Sequence, residues 1–231
     1  ADNKTLLKNI ERMNLNLNDI DALTISHLHK DHMGGLKAAR DKVVRLPEQL
    51  KPEKFKTCYL PDNAGADGFK THLVDRAKVL EAGIVSTGPL ARSLFFLGFT
   101  EEQSLIVNIK NKGLAVFTGC GHPTIKTILK MVKKISDQPI YAVGGGLHFP
   151  LTEGRGDKLG FELQQIFGTG KAPWDKLTMK DLEETIESIN NSGAEKVFLS
   201  GHDSCDFSLN YLKDNLKAKV EILKAGESYN I

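Results

Sequence analysis

Thr24-Ile25-Ser26-His27-Leu28-His29-Lys30-Asp31-His32-Met33-Gly34-Gly35-Leu36 is the stretch on which the reading of this chain turns. Three of the seven histidines fall within residues 27–32, together with one aspartate, directly after the apolar run 23–25. A strand continued through His29 would point His27 and His29 to one face, because strand side chains repeat every two residues. Gly34-Gly35 then supplies a turn that brings Asp31 and His32 back toward the same point. Imidazole plus carboxylate is the donor set of zinc, iron or manganese, not of calcium or magnesium. The competing reading is a polar loop with chance histidines. So dense a cluster in a chain so poor in histidine decides against it.

Three more apolar runs end the same way. Residues 114–117 lead to His122, 140–143 to His148, and 197–199 to His202, each time through intervening Ser or Gly. Ligands of α/β proteins gather at the carboxyl ends of strands, where loops are free to carry polar groups. One histidine after a strand is ordinary. Four in this pattern point to a shared metal site.

The rest of the chain supports an α/β domain. Leu6, Leu7, Ile10 and Met13 recur at helical spacing, with Asn14 at the stop. Strands are expected over 21–26, 43–46 and 58–60, with a short helix over 34–40. Between 77 and 117 the pattern is β, with strands over 78–80, 84–86, 94–97, 104–109 and 114–117, the last two joined through Lys110-Asn111-Lys112-Gly113. Helices follow over 124–135 and 179–191, the second opened by Thr178-x-x-Asp181, and a third carries Leu209, Leu212 and Leu216. Strands over 140–143, 197–199 and 220–223 alternate with them. His72 reads as a solvated surface residue. No repeat or linker divides the chain, so residues 1–231 are read as a single domain.

Lys plus Arg is 31 and Asp plus Glu 29, and this near balance gives no case for nucleic acid as a partner. Cys58, Cys120 and Cys205 are odd in number and lack CxxC spacing, which favours free thiols in a reducing cytoplasm. Cys120 and Cys205 are taken as buried neighbours of the site ahead of ligands. No apolar run is long enough to cross a membrane, and no signal-peptide pattern opens the sequence. Residues 152–176 are rich in glycine and cations. Arg155, Lys158, Lys171 and Trp174 there are candidate substrate-binding residues, the cations for a phosphate and the indole for a ring.

His27-x-His29-x-Asp31-His32 resembles the HxHxDH signature of the metallo-β-lactamase fold superfamily. The resemblance runs from Leu6 nearly to the end. Glu102-Gln103-Ser104-Leu105-Ile106-Val107, Thr118-Gly119-Cys120-Gly121-His122-Pro123 and Gly144-Gly145-Gly146-Leu147-His148 look like the branch containing the dihydropterin–ribofuranosylaminobenzene-phosphate synthases and many metal-dependent hydrolases. The resemblance implies a four-layer αββα sandwich and two divalent metal ions, zinc first, with iron or manganese as alternatives. His27, His29 and His122 would hold one metal, and Asp31, His32 and His202 the other. His148 stands where the superfamily usually has a bridging aspartate, so it binds one metal or faces the substrate. Asp31 and His148 are the candidate catalytic residues. The implied function is a dinuclear metal-dependent hydrolase that uses a metal-bound hydroxide on a small anionic substrate, a phosphoester or cyclic phosphoester. The rivals are a pterin-diphosphate-dependent transferase, a di-iron redox protein and a metal-binding protein without turnover.

The chain also departs from the family at its front. Superfamily members normally open with a β-hairpin and a strand ending in Asp-x-Gly, and neither precedes the helix that begins near Asn3. Two absent strands would leave several hundred Å² of apolar surface uncovered, worth on the order of 10 kcal/mol. A companion N-terminal segment or a neighbouring chain is therefore an expected partner, beside the small-molecule substrate.

Overall fold

The computed structural model describes residues 3–50, 56–152, 165, 168–202 and 204–231. Its contacts divide the chain into two compact units. The first holds residues 1–75 and 225–228; the second holds residues 76–224 and 229–231.

In the first unit, helix α1 (Asn3–Arg12) precedes strand β1 (Ala22–Thr24). Two short helices follow, α2 (Lys30–Met33) and α3 (Leu36–Asp41), and then strand β2 (Val43–Val44). Strands β3 (Lys56–Leu60), β4 (Gly65–Ala66) and β5 (Phe69–Leu73) complete it. β1, β3 and β5 form a parallel three-stranded sheet with β1 at one edge, in the register Leu23 opposite Cys58 opposite Thr71. Ile25, Met33, Ala38, Val44, Cys58 and Leu60 make the core beneath it. Burial pushes the Cys58 thiol up to about 12, which leaves it inert. α1 turns Leu6 and Ile10 toward β1 across an apolar cavity of about 420 Å³. Asn14 ends the helical stretch in the left-handed region, with φ 50°.

The strand expected to carry His27 and His29 stops at Thr24. Both histidines lie beyond it, in the connection to α2. The turn begins at Lys30 with the single helical turn of α2, and Gly34 closes that helix in a left-handed conformation. β5 was not expected at all, because Phe69-Lys70-Thr71-His72-Leu73 is mostly exposed or half-buried and lacks an apolar alternation. His72, expected as a solvated surface residue, is partly exposed on β5, its ring 5.8 Å from that of Tyr59.

The second unit is built on a seven-stranded sheet ordered β14-β13-β12-β11-β10-β7-β6. Its strands are β6 (Lys78–Glu81), β7 (Ile84–Ser86), β10 (Leu105–Ile109), β11 (Gly113–Phe117), β12 (Ile140–Gly145), β13 (Lys196–Leu199) and β14 (Lys219–Ile222). β8 (Leu90–Leu94) and β9 (Gly98–Glu102) pair separately as an antiparallel hairpin. The strand expected over 94–97 is therefore mostly the tip of that hairpin. Phe95, Phe96 and Leu97 are exposed there.

β11 to β14 run parallel, joined by helices α4 (Ile125–Ile135), α5 (Met179–Asn190) and α6 (Asp206–Asn215). Each helix buries one apolar stripe: Ile125, Ile128, Leu129 and Val132 on α4, Leu182 and Ile189 on α5, Leu209 and Leu212 on α6. Burying each such side chain contributes about 2 kcal/mol. Leu114 and Val116 of β11 join this core, while Ala115 packs on the opposite face with Ala142 and Phe198. That alternation is the two-residue period of a strand buried on both faces. The parallel arrangement has one consequence for function. The loops after β11, β12 and β13 all leave the same edge of the sheet.

Candidate metal centre

In the first unit the connection from β1 to α2 packs three imidazoles together. The His27 ring lies 4.5 Å from that of His29 and 4.1 Å from that of His32. His27 is fully buried, and His29, Asp31 and His32 are half-buried. Ser26 Oγ lies 3.1 Å from His27 Nδ1 and 3.4 Å from His32 Nδ1, so one hydroxyl steadies two rings. His32 Nε2 lies 3.3 Å from an Asp31 carboxylate oxygen. The structure thus places His27, His29, Asp31 and His32 together.

In the second unit the three strand-end histidines follow β11, β12 and β13. The His122 and His148 rings are 5.0 Å apart and both are buried, whereas His202 is exposed. His148 has φ 55°, in the left-handed region. Cys120, buried, is a further candidate donor in this unit beside His122 and His202. The loops after β12 and β13 are tied together: Phe149 N–H donates to Ser204 Oγ at 3.1 Å, and Cys205 N–H to the Phe149 carbonyl at 3.2 Å. Cys205 is the buried neighbour it was taken to be. Its Sγ accepts from Thr152 N–H at 3.4 Å.

The backbone carbonyl of Gly168 lies 2.8 Å from His122 Nδ1. A carbonyl only accepts, so Nδ1 carries the proton and Nε2 keeps its lone pair for a metal. This carbonyl partner on the far nitrogen is how metal-ligating histidines are commonly oriented. The donor sets of both units fit a divalent transition metal on this ground and on their imidazole-rich chemistry.

Of the four candidate substrate-binding residues, Arg155 and Lys158 lie outside the described residues. Lys171 is half-buried, and its ammonium lies 2.9 Å from Asp181 Oδ2. Trp174 is exposed and meets Phe95 edge to face at 5.2 Å. Sequence reasoning passed over two residues of weight. Glu102 is fully buried and accepts backbone N–H groups from Gly119, Gly121 and His122. Arg92 donates from Nη1 to the His122 carbonyl at 2.9 Å. A signal existed for the first: Glu102-Gln103-Ser104 is a polar triplet between apolar strands, and all three residues are buried. For Arg92 there was none.

Among solved structures, the metal-dependent hydrolase Tm1679 of the β-lactamase superfamily matches with a TM-score of 0.68 at 20% identity, covering 97% of this chain and 84% of that one. This chain has the metallo-β-lactamase fold. Two other proteins of known structure resemble it at lower TM-scores. YhfI from Bacillus subtilis, described as a metallo-β-lactamase fold protein, matches at 0.52 with 10% identity, over 98% of this chain and 83% of its own. An isothiocyanate hydrolase from Delia radicum gut bacteria matches at 0.52 with 13% identity, over 93% and 77%. Residues 3–54 match the family of the anti-Pycsar protein Apyc1. The 7,8-dihydropterin-6-methyl-4-(beta-D-ribofuranosyl)-aminobenzene-5'-phosphate synthase of Methanocaldococcus jannaschii is 28% identical over 180 residues. That match spans 62% of this chain and 61% of the synthase. Among the described residues, His27, His29, Asp31, His32, Cys120, His122 and His202 fall in groups that could hold a metal ion, and His148, expected as a ligand, does not. Among the described residues, no helix is long and apolar enough to cross a membrane.

Proposed function

We propose that this chain is a metal-dependent hydrolase of a small anionic phosphoester that uses two divalent ions. The observation that carries the reading is the set of parallel strands β11, β12 and β13, whose following loops carry His122, His148 and His202. The resemblance implies that His27, His29 and His122 serve one ion and that Asp31, His32 and His202 serve the other. Such ions, when bound, lower the pKa of water and polarise a phosphoryl oxygen.

The protein's own groups prepare for that. Gly168 fixes the tautomer of His122, and Ser26 steadies His27 and His32. Asp31 and His148 are the groups we assign to the reaction itself. Asp31 adds the negative charge that holds a cation. His148, where the superfamily usually has an aspartate, leaves the centre less negative and better suited to an anionic substrate. Zinc is the metal we favour.

The metal-loaded protein should hydrolyse a cyclic or linear phosphoester, and H122A should abolish turnover while the fold persists by circular dichroism. Turnover by H122A at the wild-type rate would sink the reading. The similarity to the synthase favours a second reading, a transferase that displaces diphosphate. Release of diphosphate from a pterin diphosphate, with no phosphoester turnover, would decide for it.

A further inference from the structure

A cavity of about 110 Å³ opens in the second unit beside His122 and His148; Arg92, Thr169 and Lys171 share its wall with the carboxylates of Asp181 and Glu184. Arg92 stands on β8, half-buried. One of its N–H groups is spent on the His122 carbonyl. Burial lowers its pKa, with the charge of Asp181 acting against that. Asp181, however, is engaged elsewhere: it receives Lys171 at 2.9 Å, and the Thr178 backbone and hydroxyl at 2.8 and 2.7 Å. Among the described residues no carboxylate lies in salt-bridge contact with Arg92. A guanidinium withdrawn from water without such a partner is costly to keep. Its planar fork offers five N–H donors and matches an oxyanion in bidentate fashion.

The segment Gly168-Thr169-Gly170 lies directly over these groups. A Cβ at Gly168 would stand 2.5 Å from His148 Cε1, and one at Gly170 would stand 2.1 Å from Arg92 Nε. Both glycines also have positive φ, 91° and 73°. With positive φ and so close an approach, both positions suit glycine, and the strap runs tight against His148 and Arg92. A space of this size suits a single oxyanion, not an extended chain.

We propose that Arg92 binds the phosphoryl group of the substrate or product in this cavity, holding two of its oxygens beside His148. The proposal rests on the hydrolase reading only for naming the oxyanion as phosphate.

Inorganic phosphate, and acetate in a parallel arm, would be titrated calorimetrically into metal-loaded and metal-free protein. The wild type should bind phosphate in both forms and acetate more weakly. R92Q should lose about ten-fold or more in phosphate affinity, read in the metal-free protein so that any change in metal binding through the His122 carbonyl does not enter. R92K keeps the charge but loses the fork, and should lose at least about five-fold. R92K carries the test alone if R92Q does not fold. Phosphate binding by a folded variant within about two-fold of wild type overturns the proposal. Acetate bound as tightly as phosphate overturns the phosphoryl assignment. Failure of the hydrolase reading looks different: no phosphoester is turned over, yet phosphate binding and its dependence on Arg92 stand.

Discussion

One carboxylate oxygen of Glu102 accepts the backbone N–H of His122 at 3.1 Å, while its other oxygen accepts those of Gly119 and Gly121 at 3.1 and 2.9 Å. Glu102 ends β9, and the three N–H groups belong to the loop after β11. A fully buried side chain thereby sets the backbone from which His122 projects. In E102Q one acceptor oxygen becomes a donor, so at least one of the three N–H groups faces another donor. The expected cost is about 2–3 kcal/mol in stability. Because Glu102 positions His122, metal affinity should fall as well. Thermal melting and metal titration together check this. A lowered melting temperature with unaltered metal affinity would reduce Glu102 to a structural support.

Replacing His27 and His29 together should remove bound metal. Both rings belong to one packed cluster, and both are assigned to the same ion. Metal content of the purified H27A/H29A protein is the measurement. A folded sample with wild-type stoichiometry would mean that the donors lie elsewhere.

His148 stands at φ 55°, a backbone conformation that aspartate also tolerates. H148D is therefore compatible with the loop, and it supplies the carboxylate that the resemblance to the superfamily implies for this place. Metal affinity should rise, and inhibition by phosphate should weaken because the added charge repels the anion. Weaker metal binding with unchanged phosphate inhibition would assign His148 another role.

Asp181 opens α5 by accepting the Thr178 backbone N–H, and it also receives Lys171. Burial pushes its carboxyl upward, but the Lys171 and Thr178 hydrogen bonds outweigh this and hold it below the ordinary value of 3.8. A folded-state pKa depressed in this way means stability that is present above pH 3.8 and lost as the pH falls through the folded value. D181N should thus cost about 1 kcal/mol at neutral pH, the usual scale for a helix cap. The gap between the two proteins should close on acidification below that range. Urea denaturation of both across the acid range measures it, and a gap independent of pH would show that the charge of Asp181 contributes nothing.

The alternation of strands and helices from residue 114 to the end was legible because each element carries its own period. Ile125, Ile128, Leu129 and Val132 mark a helix whatever surrounds them, and 114–117 mark a buried strand. The candidate donors of residues 27–32 were legible for a similar reason: the first and last histidines are five positions apart, and their chemistry is local. Phe95-Phe96-Leu97 read as a strand because apolar residues cluster there. Whether such a cluster is buried depends on what packs against it, and here it forms an exposed hairpin tip. The strand through His27 was drawn too long because nothing in the sequence says that pairing with β3 ends at Thr24. Glu102, Gly168 and Arg92 act on His122 from 20, 46 and 30 residues away. Those contacts carry no periodicity. They exist only once the sheet has brought the end of β9, the strap at 168–170 and the hairpin strand β8 against the loop after β11, so the tertiary structure alone decided them.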